Sequence, residues 1–189
     1  ALSKLHIPVD IIGMEDDFCG YELIAAPLLY MVKNGVSERL EEFVRTGGTA
    51  VFSYLSGYVD ENDRITLGGY PGKLRELCGI WVEETDSLPE TEQNSFCYEG
   101  KLYPAGLLCD IMHTEGAEVL ACYREDFYAG TPVITRNQYG DGLAYYVGTR
   151  SGEDFYLRFF ADRCKEKGLR TASHDTVETA AALSEKGIE

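Results

Sequence analysis

The stretch that decides the fold runs from Gly47 to Gly79 and reads GGTAVFSYLSGYVDENDRITLGGYPGKLRELCG. It opens on two glycines, which are typical of a helix end because glycine adopts the left-handed cap without steric cost. The apolar run Ala50–Tyr54 then predicts a strand buried on both faces, as in a parallel sheet. A long polar loop follows, and in open α/β sheets ligands usually bind at loops after the carboxyl ends of strands.

The residues before this stretch predict a strand and a helix that lead into it. Leu23–Ala26 is apolar and stops at a proline, which indicates a short strand. Ser37 stands where it would cap a helix that ends at Gly47. The apolar face of that helix consists of Leu40, Phe43 and Val44. Strand, helix and strand at this spacing predict a right-handed parallel crossover.

The rest of the chain predicts a sheet with few breaks. Further strands are expected at Val9–Ile12, Ile80–Glu84, Val119–Tyr123, Val133–Tyr139 and Leu143–Val147. A short helix is expected at Lys73–Cys78 and a last one from Ser151 to Gly168, whereas residues 85–115 have no clear period. We therefore predict an α/β fold, a doubly wound and mostly parallel flavodoxin-like sheet, with one antiparallel hairpin at Gly140-Asp141-Gly142.

Charge, hydropathy and cysteine spacing exclude several classes of protein. The 189 residues carry a formal net charge of −15, which argues against nucleic acid and anionic membranes, because both bind basic patches. No apolar run approaches the ~20 residues of a membrane span, and no secretory signal opens the chain. The six cysteines contain no C-x-x-C pair, so we expect free thiols and a reducing, cytoplasmic location.

The acidic clusters do not predict a catalytic pair. A glycosidase needs two carboxylates about 5 to 9 Å apart, whereas neighbouring acids on an extended chain point different ways. The clusters in this sequence are Asp16-Asp17, Asp60-Glu61-Asn62-Asp63 and Glu83-Glu84. We read them as solvated surface.

Nucleophile and metal patterns are equally incomplete. An amidotransferase would place a cysteine on the tight turn after the third strand, paired with a later His-x-Glu. That turn reads Tyr54-Leu55-Ser56-Gly57 and has neither a cysteine nor an esterase Gly-x-Ser-x-Gly. His113-Thr114-Glu115 lies mid-chain, and Cys109 with His113 supplies only one i, i+4 pair of metal ligands. We therefore predict no catalytic residues, cofactor or metal.

Aromatic residues surround the long loop. Tyr54, Tyr58 and Tyr70 all fall in or beside it. Tyrosine is favoured at protein interfaces because it combines apolar area with a polar tip. On the residues alone, an interface and the ordinary edge of a core explain these tyrosines equally well.

A set of motifs over residues 5–150 occurs in a recognisable order and spacing. The motifs are Ile7-Pro8-Val9-Asp10, Tyr21–Tyr30, Gly47-Gly48-Thr49, Ser56-Gly57, Val59–Arg64, Gly68–Gly72, Gly116–Ala121 and Gly140–Thr149. Together they resemble the middle, trimerisation domain of glycoside hydrolase family 42 β-galactosidases. The resemblance implies a fold similar to class I glutamine amidotransferases.

The resemblance also implies a role in assembly. Residues 1–168 would form the trimerisation domain, and residues 169–189 a linker towards a small C-terminal β domain. The family's two catalytic glutamates belong to an upstream barrel domain that this chain lacks. The expected partners are two further copies in a homotrimer and the barrels of the same and neighbouring subunits. The side chains expected to contact a neighbour or to wall its active site are Tyr54, Ser56, Tyr58, Asp60, Glu61, Asp63, Arg64 and Tyr70.

Two other functions stay open from the sequence. One is a free-standing amidotransferase-like hydrolase, and the other is a carbohydrate-binding module that uses exposed tyrosines. The chain opens without Met, inside what reads as a helix end, so we expect it to be a piece of a longer protein.

Overall fold

The computed structural model describes residues 1–169 and divides them into two units. Residues 13–152 form the larger unit, and residues 1–12 with residues 153–169 form the smaller one. The predicted linker at residues 169–189 lies outside the described residues except for Leu169. The strands are β1 (Leu23–Ala26), β2 (Thr49–Ser53), β3 (Ile80–Ser87), β4 (Asn94–Tyr98), β5 (Lys101–Thr114), β6 (Glu118–Cys122), β7 (Pro132–Tyr139), β8 (Gly142–Val147) and β9 (Thr149–Arg150). The helices are α1 (Val36–Arg45), α2 (Arg75–Cys78) and α3 (Glu153–Glu166), with 3₁₀ turns at Leu2–Leu5 and Gly72–Leu74.

The first sheet of the larger unit has the strand order β1-β2-β8-β7-β6. Strands β1, β2 and β8 run parallel, and Val51 at the centre of β2 lies between Ala25 and Tyr145. Strands β8, β7 and β6 run antiparallel, and the two-residue turn Gly140-Asp141 joins β7 to β8. Every residue of β2 is buried, as predicted for this apolar run.

The second sheet is antiparallel, with the strand order β3-β5-β4, and β9 also pairs with β5. Its long strand β5 packs against β7, so the two sheets contact each other as in a β-sandwich. Strands β4 and β5 are joined by a two-residue turn in which Glu99 and Gly100 both have positive φ, at 49° and 76°. That geometry is the type I′ hairpin turn, which matches the twist of the flanking strands.

The crossover from β1 through α1 to β2 confirms the prediction for this segment. Helix α1 ends where the glycine pair predicts, because the Gly48 amide donates to the Phe43 carbonyl and the Gly47 amide to the Val44 carbonyl, both at 2.9 Å. These two bonds form a Schellman motif. The residue before the helix is Gly35 rather than Ser37, which lies inside the first turn and donates to Glu38. The predicted serine cap is therefore wrong.

The doubly wound, mostly parallel flavodoxin-like fold is also wrong, and so is the likeness to glutamine amidotransferases. Residues 1–169 are 21% helical and 37% strand, which leaves too little helix to cover both faces of a parallel sheet. The main cause is residues 85–115, where the sequence gives no firm assignment and the structure places most of an antiparallel sheet. The strand expected at Val9–Ile12 is not formed, and Ile11 is fully exposed there.

The smaller unit consists of the first 3₁₀ turn and helix α3. Lys4 pairs with Glu153 at 2.7 Å, which connects the 3₁₀ turn to the start of the helix. Phe155 and Phe159 are fully buried, with ring centroids 5.6 Å apart. Across residues 1–169, no helix has the length and apolar character to cross a membrane.

Candidate functional site

The predicted site lies where two neighbouring parallel strands end. Residues 27–31 follow β1 and residues 54–71 follow β2, and we call these two segments together the two-loop surface. The Gly57 amide donates to the Leu29 carbonyl at 2.8 Å, and the Val59 amide donates to the Tyr30 carbonyl at 3.1 Å. The two loops are thus held together by their backbones, as expected for segments that leave adjacent strands of one sheet.

Two serines fix the start of both loops. The Ser53 hydroxyl accepts a hydrogen bond from the Leu28 amide at 2.7 Å, and the Ser56 hydroxyl accepts one from the Leu29 amide at 3.3 Å. Ser56 is completely buried. Its side chain therefore stabilises the loops from inside and does not itself reach a neighbouring subunit.

The acidic residues of the long loop shape its turn. One carboxylate oxygen of Asp60 accepts from the Arg64 amide at 3.0 Å and from the Asn62 amide at 2.8 Å. These backbone donors, that of Arg64 first, lower the pKa of Asp60. Asp63 takes the left-handed conformation with φ 60°, which aspartate tolerates better than most residues. The predicted acidic cluster is thus a closed turn at the surface, with the Arg64 side chain exposed.

Glu61 connects this turn to the residues beside it. Its carboxylate accepts from the Asn34 side-chain amide at 2.7 Å and from Lys73 at 3.4 Å. Its own backbone amide makes the largest contribution to lowering its pKa, ahead of Asn34 and Lys73. Lys73 also donates to the side-chain oxygen Oδ1 of Asn34 at 2.7 Å. The charge of Glu61 is therefore already paired within the chain.

Two of the predicted tyrosines, Tyr58 and Tyr70, form a row with Tyr30 that runs from the surface to the interior. The exposed ring of Tyr30 stacks on Tyr58 with centroids 5.6 Å apart, and Tyr58 meets the edge of Tyr70 at 5.1 Å. Tyr54 and Tyr70 are buried. Desolvation, followed by the negative charge of Asp63, raises the pKa of Tyr30. Only the outer end of this row is available to a partner.

The row ends on a buried carboxylate that the sequence analysis missed. Asp110 on β5 has no exposed surface, and its oxygens accept from Tyr70 at 2.6 Å, Thr85 at 2.8 Å and Tyr146 at 2.8 Å. Burial raises the pKa of Asp110 to about 6, although all of these donors, Tyr70 first, act to lower it. An acid inside the apolar run 107–112 was the available signal, but no strand was assigned there.

Exposed apolar side chains cover the two-loop surface. The exposed fractions are 48% for Leu28, 42% for Tyr30, 62% for Ile65 and 95% for Leu67. Leu28 also has a positive φ of 51°, and Leu55 at the start of the long loop has 60°. A left-handed non-glycine residue costs about 1–2 kcal/mol, and such strain concentrates at functional sites. Clustered exposed apolar residues are typical of contact surfaces.

The side chains that the sequence offered as possible catalytic or metal-binding groups are engaged in other contacts. His113 stacks on Trp81 with centroids 4.6 Å apart and contacts Glu83 at 2.8 Å, whereas Glu115 pairs with Arg75 at 2.5 Å. Cys109 is buried and its sulfur contacts the Thr149 hydroxyl at 3.4 Å. Within residues 1–169, no three His, Cys, Asp or Glu side chains group in a way that would hold a metal ion.

Comparison with known proteins identifies the family. A family model described as "Beta-galactosidase trimerisation domain" matches residues 1–170. The β-galactosidase Pbg of Clostridium perfringens is 47% identical over 180 residues, which is 91% of this chain and 26% of that protein. This chain spans about a quarter of the length of the curated relatives it matches.

Solved structures give the same result. The β-galactosidase of Rahnella sp. R3 superimposes with a TM-score of 0.89 at 46% identity, over 92% of this chain and 26% of that one. The β-galactosidase of Bacillus circulans sp. alkalophilus gives a TM-score of 0.87 at 46% identity, over 90% and 26%. The resemblance drawn from the ordered motifs is confirmed, and the chain belongs to the β-galactosidase trimerisation-domain family.

Proposed function

We propose that this domain holds three copies of a longer β-galactosidase together and carries out no chemistry itself. The matched relatives are named β-galactosidases and are about four times as long as the segment they share with this chain, which supports a catalytic part elsewhere in the longer protein. That protein would be a retaining enzyme acting on terminal β-D-galactosyl residues, with both catalytic carboxylates in its barrel. If the 189-residue chain alone releases the leaving group from a chromogenic β-galactoside, the non-catalytic assignment is wrong.

The contact would be made by the two-loop surface, against a neighbouring subunit or its barrel. The observation that carries this proposal is the exposure of Leu28, Tyr30, Ile65 and Leu67 on a backbone fixed from inside by Ser53 and Ser56. A rigid apolar patch loses little conformational entropy on binding, so more of its burial is available for association. The side chains of Tyr58, Asp60, Glu61, Asp63 and Arg64 would surround or support the patch.

The test introduces charge into the centre of the patch in the full-length protein. Fully burying one leucine contributes about 1.5–3 kcal/mol, so Ile65→Asp with Leu67→Asp should weaken each contact by about 100-fold or more. Mass photometry at nanomolar concentration should then show monomers. Leu102→Asp is the matched control, because Leu102 is a half-exposed leucine on β5 outside the patch. An unchanged trimer in the double variant would contradict the proposed interface, and a monomeric parent would contradict trimerisation.

We also propose where the domain ends and in which cellular compartment the protein lies. We place the end of the trimerisation domain at residue 168, supported by the family match that stops at residue 170, with the linker after it. All six cysteines are free thiols, and Cys19 and Cys97 are exposed, which favours a reducing compartment such as the cytoplasm. Fractionation of the native cells, with the enzyme activity followed, tests this location.

A further inference from the structure

Asp110 joins more parts of the larger unit than any other side chain of the site. It lies on β5 of the second sheet and accepts hydrogen bonds from Thr85 of β3 and from Tyr146 of β8 in the first sheet. It also accepts from the Tyr70 hydroxyl, which lies near the far end of the long loop. One carboxylate thus connects both sheets to that end of the loop.

The cost of burying a carboxylate favours one position of the long loop. A buried carboxylate is unfavourable unless its oxygens accept hydrogen bonds, and here each donor comes from a different element. If the loop moves away, the carboxylate loses the Tyr70 donor and is left partly unsatisfied. Removal of a donor to a buried charge is costly, so the loop is held in one position.

The junction connects to the surface through the row of tyrosines. Tyr70, held by its hydrogen bond to Asp110, sets the position of the Tyr58 ring. Tyr58 in turn stacks on Tyr30, which is one of the exposed side chains of the two-loop surface. Asp110 is itself fully buried, and its effect on a partner is transmitted through this row.

We propose that Asp110 is a positioning residue for subunit assembly, because it anchors the Tyr70 end of the 54–71 loop to both sheets and so presents the two-loop surface in its binding conformation. This inference rests on the proposed function of that surface. It concerns a residue that makes no contact with a partner.

Two tyrosine variants separate positioning from general stability. Tyr70→Phe and Tyr146→Phe each delete one hydroxyl that donates to Asp110, at 2.6 and 2.8 Å, and each keeps the ring. Only Tyr70 belongs to the loop, whereas Tyr146 belongs to β8. Both variants should lose a similar amount of stability. A difference between them in the hydrogen exchange of the 54–71 loop would therefore arise from the positioning of the loop by Asp110.

The readouts are hydrogen exchange and assembly of the full-length protein. In Tyr70→Phe, amides of residues 54–71 should exchange about tenfold faster or more, which is the effect of losing one hydrogen bond to a charged group. The dissociation constant of the trimer should rise by a similar factor. In Tyr146→Phe, the ratio of loop exchange to β2 exchange should equal that of the parent. The dissociation constant of the trimer should also be unchanged.

The outcomes distinguish the inference from the function on which it rests. Equal loop exchange in Tyr70→Phe and in the parent overturns the positioning role of Asp110. Faster loop exchange with unchanged assembly leaves the anchoring in place and overturns the two-loop surface as the interface.

Discussion

Replacement of Gly57 by alanine tests how tightly the long loop is closed. Gly57 has a φ of 68°, and an added Cβ would lie 2.1 Å from the carbonyl oxygen of Pro71 at the far end of the loop. That atom belongs to the backbone, so a side-chain rotation cannot relieve the clash. The two ends of the loop would have to separate, or β2 would have to shift.

The magnitude follows from two contributions. The left-handed backbone costs alanine about 1–2 kcal/mol, and forcing a methyl group into a packed site adds about 1–3 kcal/mol. Gly68→Ala supplies the control, because Gly68 lies in the same loop with a φ of 92° and no atom within 4 Å of the added Cβ. We expect Gly57→Ala to destabilise the domain by about 2–5 kcal/mol and Gly68→Ala by the backbone contribution alone.

The assay uses the one tryptophan of the chain. Trp81 lies on β3 next to Gly69 of the loop, so its fluorescence follows urea unfolding of the part of the domain that the loop contacts. Unfolding midpoints of the parent, Gly57→Ala and Gly68→Ala at equal slope give the two free-energy changes. Equal destabilisation by the two variants would refute the close approach of Gly57 to Pro71.

Two further predictions concern titration and thiol reactivity. The pKa of Asp110 is about 6 in the folded domain and 3.8 when unperturbed, so the native state binds this proton more tightly. Its contribution to stability should therefore fall by about 2 kcal/mol as pH rises from 4 to 6. In urea titrations at each pH, Asp110→Asn should not show that decrease in stability. A pH profile of stability identical to that of the parent would contradict this prediction. Cys19 and Cys97 are exposed and should react with a thiol reagent in the native protein. Cys78 is buried, which raises the pKa of its thiol, so it should react only on unfolding. Rapid labelling of Cys78 in the native protein would contradict this prediction.

The first parallel crossover was predictable because its signals are local. A buried apolar run and a glycine pair are enough to place β2 and the end of α1, and the structure confirms both. The hairpin of β7 and β8 was predictable for the same reason, since the Gly140-Asp141 turn lies between two apolar runs. Local chemistry decides where these elements begin and end.

The second sheet was not predictable because the pattern of buried and exposed residues changes along its longest strand, β5. β5 runs for 14 residues and pairs with β4, β9 and β3 in turn, so its buried face changes along its length. A left-handed residue at Leu107 further interrupts the alternation. The period-2 signal is therefore lost.

Burial divides the residues of the proposed site into inner and outer ones in a way that the sequence does not show. Ser56, Tyr54 and Tyr70 were proposed as contact residues, and the structure places all three inside. Leu67 and Ile65 carry the exposed apolar area, but a polarity pattern assigns them to an ordinary loop. Long-range contacts decide which side of a loop faces outward.

Charge pairing within the loop indicates what kind of contact the surface can make. Asp60 and Glu61 are already bonded to the loop and to its neighbours, so neither is free to recognise a cation on a partner. Copies that each carry a net charge of −15 repel one another, and this repulsion opposes a homotrimer. Association through the two-loop surface must therefore gain its free energy from the burial of Leu67, Ile65 and Leu28, with the paired acids at the margin where water still solvates them.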